Sequence, residues 1–92
     1  KPGAIEDTET AFDWYEKTRE GLGGDFLNEL EFYYKKLESN PFAFGKASED
    51  LRKVVLKRFP YVIVFEIESK KVIVYGVLHK HRDTRIRRKR KK

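Results

Sequence analysis

The sequence has no cysteine, which excludes disulfides, thiol chemistry and any thiolate metal site. It also has no apolar run approaching the ~20 residues that a helix needs to cross a bilayer, and its opening KPGAIEDTET lacks the apolar stretch of a signal peptide. A cytoplasmic protein with no membrane partner is expected. Internal repeats are absent, and low complexity is confined to the last residues. Apolar residues are not abundant: 39% of the chain is hydrophobic and 39% charged, enough for one sheet and one helical layer. A chain of 92 residues allows one domain, and at this size only roughly 60–65% of the unfolded surface is buried. The core is expected to be thin, with room for a partner to complete it.

Charge of one sign is scarce in the body and concentrated at the end. Residues 82–92 (RDTRIRRKRKK) hold eight Lys/Arg and one Asp, a local +7, which leaves about −1 of the net +6 for residues 1–81. The chain therefore divides into a body, 1–84, and a basic C-terminal tail, 85–92. Dense like charge repels itself and is commonly a solvated tail. The same run can neutralise nucleic-acid phosphates or an acidic partner, without reading sequence.

The first half has helical periodicity. In 4–24, Ile5, Thr8, Ala11 or Phe12, Tyr15 and Leu22 recur at three-to-four spacing, while Glu6, Glu9, Asp13, Glu16 and Lys17 fall elsewhere. Pro2 is tolerated near the start of such a helix. The glycines of GLGG at 21–24 are expected to supply the left-handed backbone that ends the helix and turns the chain. A second helix follows, with Phe26, Leu27, Leu30, Tyr33, Tyr34 and Leu37 as its stripe, Asp25 in the first turn, and Asn40-Pro41 as its stop. That aromatic stripe has the spacing of a buried face. So short a connection predicts an antiparallel helical hairpin.

The second half reads as strands. Residues 51–59 alternate, with Arg52, Val54, Leu56 and Arg58 on one side and Leu51, Lys53, Val55, Lys57 and Phe59 on the other. Pro60 calls for a bend or an edge. Residues 61–67 and 72–78 are apolar at nearly every position around a turn at 68–71, which predicts a hairpin of well-buried antiparallel strands. The fold class is α+β, a helical hairpin packed on a small antiparallel sheet.

These residues, in this order, resemble the RelE/ParE superfamily of toxins from bacterial type II toxin–antitoxin systems. The resemblance runs from Pro2 to about Arg85. It rests on Pro2, Ala4, Asp7, Ala11, Trp14 and Tyr15, then on GLGGDFLNEL with Phe26 and Leu30, then on Leu37 and Asn40-Pro41. Arg52 and Phe59-Pro60-Tyr61 follow, and His79, Arg82 and Asp83 end the final strand. Two features depart from the family pattern. The usual first β-strand ahead of Pro2 is missing, which is expected to reflect residues that precede Lys1. Thr84, Ile86, Arg87 and Arg88 stand where members commonly carry Pro and then an aromatic.

The resemblance implies a cognate antitoxin as partner and one of two targets. RelE-like members cleave messenger RNA in the ribosome, which requires a base, an acid and cations for the phosphorane charge. Glu49, Asp50 or Glu66 would serve as base, His79 or His81 as acid, and Arg52 and Arg82 as phosphate clamps. ParE-like members inhibit DNA gyrase by binding it, and the length of the hairpin and the Phe-Pro-Tyr strand are closer to these. The catalytic candidates are Arg52, His79 and Arg82; the target or nucleic-acid contacts are Arg58, His81, Arg85, Arg87 and Arg88. Plainer readings stand beside them. His79 also reads as a strand-end histidine bonded to backbone, and Arg52 as the partner of Glu66 or Asp50 in an exposed salt bridge. His79 and His81 would point to opposite faces of a continuing strand, so no metal is expected; no cofactor is expected either. A nucleic-acid-binding module that is not a toxin, using the basic tail, is a further alternative.

Overall fold

The computed structural model describes residues 2–81. Two helices, α1 (Pro2–Thr18) and α2 (Leu22–Ser39), form the hairpin, and a 3-10 turn at Pro41–Ala43 follows. Three strands, β1 (Arg52–Val55), β2 (Tyr61–Glu68) and β3 (Lys71–His79), form an antiparallel sheet in the order β1-β2-β3. The α+β class and the helical hairpin on a small antiparallel sheet are as expected from the sequence.

The turn between the helices is tighter than the four-residue GLGG implied. Gly21 alone takes left-handed backbone, at φ 90°, and Leu22, Gly23 and Gly24 already belong to α2. Gly23 is needed for a different reason: a Cβ there would stand 2.7 Å from the Phe12 ring, so the two helices meet over a bare backbone. The Glu16 carboxylate accepts the N–H groups of Gly21 and Gly23, both at 3.0 Å, and so satisfies donors that a helix start leaves open.

The main core lies between helices and sheet. Tyr15 from α1, Phe26 from α2, Phe59 from the bend and Tyr61 from β2 form a ring cluster with centroids 5.0–6.2 Å apart. Such pairs add about 0.5–1.5 kcal/mol each beyond the burial of their area. Leu30, Leu37, Val54, Leu56, Ile63, Phe65 and Val77 extend it. A smaller apolar cluster of Leu51, Val62, Val64 and Leu78 occupies the other face of the sheet, with Ala47 and Tyr75 packed on it. β2 is therefore buried on both faces, which is why its sequence shows no alternation.

Several positions depart from the expected pattern. Ile5 is 62% and Leu27 39% exposed, because the buried side of α1 is Ala4, Ala11 and Tyr15, and that of α2 is Phe26, Glu29, Leu30 and Leu37. At its start α1 lies along the edge of β3, where the Asp7 carboxylate accepts the Val77 N–H at 3.1 Å. Ile5 consequently faces outward. Alternation in 51–59 holds only through Leu56, since β1 ends at Val55 and the following bend turns Phe59 into the same core as Val54 and Leu56. β3 is half-buried over 72–75, as an edge strand should be. The register places Val64 opposite Gly76 and Phe65 opposite Val74, so Tyr75 is the extra residue of a bulge. The hairpin turn has Ser69 and Lys70 at φ 50° and 66°, the primed geometry whose twist matches that of the strands.

Candidate functional site

Three surfaces carry the chemistry. The first is an apolar groove between the start of α1, the middle of α2 and the exposed edge of β3. Ala4, Ile5, Thr8, Glu9, Tyr34 and Val74 line a cavity of about 410 Å³, and a second cavity of about 370 Å³ continues it past Tyr34 to Leu37 and Val72, with Glu31, Lys35 and Glu38 beside them. The Thr8 hydroxyl donates to the Ala4 carbonyl at 2.8 Å, so it is already engaged within α1. Burial pushes the Tyr34 phenol above its ordinary pKa.

The second surface surrounds Arg52. Its guanidinium donates to the Phe44 carbonyl at 2.7 Å and lies over the Phe42 ring, 5.3 Å from the centroid. The salt bridge to Glu66 or Asp50 anticipated from the sequence is not among those formed by the described residues. Glu49, Asp50, Arg52 and Glu66 do come together around a cavity of about 250 Å³. Glu66 accepts the Tyr75 hydroxyl, and this hydrogen bond, foremost, raises the Tyr75 phenol above its ordinary value.

The third surface is the opposite end of the sheet. His79 is paired with Tyr61 across the ladder and its ring stands 5.2 Å from that of Tyr61. The strand stops at His79, and His81 folds back so that its N–H donates to His79 Nδ1 at 3.2 Å. The two imidazoles therefore lie together, 6.2 Å apart, and not on opposite faces. Among the described residues no group of three or more metal-ligating side chains occurs. Arg58, from the β1–β2 bend, has a side chain 64% exposed, 4.0 Å from Glu29 Oε1. Lys80 donates its N–H to the Pro60 carbonyl at 2.8 Å, which ties the end of β3 to the same bend.

Of the three residues the sequence offers as catalytic, the described pair Arg52 and His79 stand on different outer strands. Arg52 is paired with Phe65 and His79 with Tyr61, positions separated by about 13 Å along the strands and about 10 Å across them, at ~3.3 Å per residue and ~4.8 Å per strand. Arg82, Arg85, Arg87 and Arg88 lie outside the described residues.

A helical hairpin against an antiparallel sheet is shared by both branches of the resemblance. The family profile described as the ParE toxin of type II toxin-antitoxin system, parDE, matches residues 1–84. The chain belongs to the ParE toxin family. Comparison with curated proteins and with solved structures gives no match. As a ParE toxin, the chain has an implied cognate ParD antitoxin as its partner. Among the described residues, no helix is long and apolar enough to cross a membrane.

Sequence reasoning missed two carboxylates that shape this ParE toxin. Glu29 is 8% exposed, and its Oε2 accepts the N–H groups of Lys57 and Arg58 at 2.9 and 2.8 Å. A signal was present, since Glu29 follows Phe26 by three and precedes Tyr33 by four on the buried stripe of α2. Asp7 gave no such signal beyond its place in the resemblance, because its acceptor role depends on a strand 70 residues away.

Proposed function

We infer that this ParE toxin acts by binding DNA gyrase in the cytoplasm and that its antitoxin neutralises it by occupying the apolar groove. The observation that carries the reading is the separation of Arg52 from His79. RNA cleavage would need an acid, a base and cationic clamps around one phosphate. Here the carboxylates gather with Arg52 at one end of the sheet and the imidazoles at the other. Arg52 itself is bound to Phe44 and Phe42. A binding protein fits this geometry better than a nuclease.

The groove supports the antitoxin half of the reading. Its floor is apolar on α1, α2 and β3 with Glu9, Glu31, Lys35 and Glu38 around it, and its length along Tyr34 suits an amphipathic helix laid into it or a strand added at the β3 edge. The body, 1–84, is read as the toxin domain and 85–92 as a basic appendage to it.

Parallel assays test the mechanism. Purified protein is added to a translating extract, scored for transcript integrity, and to gyrase with supercoiled DNA, scored for DNA cleavage. The expected result is gyrase-dependent DNA cleavage with intact transcripts, and a larger loss of that cleavage for Arg82→Ala than for Arg52→Ala or His79→Ala, because Arg82 is a long bidentate donor beside the basic tail. Transcript cutting that His79→Ala slows by about 100-fold or more, the size of a general acid–base contribution, would refute the gyrase reading.

A further inference from the structure

The surface of α2 that faces the β1–β2 bend is not used by the groove, by the Arg52 cavity or by the gyrase reading. Phe32 is 54% exposed there. Asn28, Glu29, Phe32, Tyr33, Lys57 and Arg58 line a cavity of about 310 Å³. The Phe32 ring is braced edge-on by Tyr33 at 5.1 Å and has the Lys36 ammonium 5.0 Å from its centroid. Both cations of the bend are exposed, while their backbone is held by the buried Glu29 carboxylate. Glu29 is thereby occupied by two amides and by Arg58, so it adds little repulsion toward an anion. Lys80 and His81 are exposed at the same bend through the Lys80–Pro60 hydrogen bond, and the eight Lys/Arg of 82–92 follow in sequence.

We propose that the Phe32–Lys57–Arg58 surface binds single-stranded nucleic acid, with a base stacked on Phe32, phosphates on Lys57 and Arg58, and the Asn28 amide at the base edge. An exposed aromatic face flanked by cations is the arrangement by which single strands are held without sequence preference. Duplex DNA would use the cations but could not offer an unstacked base to Phe32. An acidic peptide would likewise engage the charge and leave the ring unemployed. The surface stands apart from the antitoxin groove and does not depend on gyrase as target.

The test uses the full chain and a fluorescent oligothymidylate of roughly 12 nucleotides, within the span that a small binding fold covers. Binding is followed by anisotropy at several salt concentrations. Phe32→Ala is expected to weaken it at least about fivefold, the lower end for one lost base stack, with an unchanged salt slope. Phe32→Trp should retain it. Combined Lys57→Gln and Arg58→Gln should make the log–log salt slope shallower by about 1.4, at about 0.7 for each phosphate contact on a single strand. Circular dichroism checks that each variant is folded, and the exposure of all three side chains predicts that it is. Phe32→Ala binding as tightly as the parent would overturn the proposal, since the basic tail alone would then account for affinity. So would displacement of the oligomer by an equal-length duplex, or by polyglutamate, as effectively as by unlabelled single strand.

Discussion

Glu29 shows how one buried carboxylate can determine a connection between strands. Replacing it with Ala leaves the Lys57 and Arg58 amides without their acceptor, at a cost of about 1–3 kcal/mol for each donor that water does not reach. Glu29→Ala should therefore unfold at distinctly lower urea concentration, and Glu29→Gln, which keeps one acceptor oxygen, should lose less. Tyr75 gives a prediction in pH. Its hydrogen bond to Glu66 holds the phenol above an ordinary value of about 10, so the folded state keeps this proton more tightly than the unfolded state. The resulting stabilisation is complete below pH 10 and is lost as pH rises through the raised value. Chemical melts above pH 10 should show a shallower decline for Tyr75→Phe than for the parent. At this scale the sequence is least transparent. Phe26, Leu30 and Leu37 are identifiable as core from spacing alone, whereas the partner of Asp7 is an amide that only the folded sheet brings near.

The helical hairpin depends on Gly23 as much as on its apolar stripes. A methyl group at that position collides with Phe12 and with Glu16, which caps the turn, so Gly23→Ala should destabilise the domain by about 1–3 kcal/mol, as overpacking does. Thermal unfolding against a Gly24→Ala control, where a Cβ meets nothing within 4 Å, isolates the effect. Element types were legible because their periods differ: three-to-four spacing in 4–37 and near-continuous apolar runs in 61–78. Boundaries were less so. The expected strand over 51–59 shortens to Arg52–Val55 because the register on β2 makes residues 57–60 the bend itself, where Glu29, on another element, accepts the Lys57 and Arg58 amides. The two histidines come together for a related reason: Pro60, which has no N–H of its own, offers its carbonyl to Lys80 and ends the pairing.

For the molecule as a whole, charge and fold separate. Deleting 85–92 should leave the melting temperature nearly unchanged, since the main core draws on residues from Ala11 to Val77, while weakening association with polyanions at low salt. A deletion that unfolds the protein would show instead that the tail packs on the body. The division of the site into ends was not legible in sequence, because Arg52 and His79 both flank apolar runs and only the register puts β2 between them. The antiparallel meander sets the Arg52 end of β1 and the His79 end of β3 apart.

The hydrogen bond from Val77 to Asp7 joins residues 70 apart in the chain, and it bears on how the protein is born. Helix α1 is translated before the sheet, whose Phe59, Tyr61 and Val77, against which its buried side rests, come later. At the about 5–20 residues per second of synthesis, the hairpin must wait several seconds with its aromatic side uncovered. For that interval the nascent toxin is a sticky, unfinished pair of helices, and whatever meets it at the ribosome meets it before it can act.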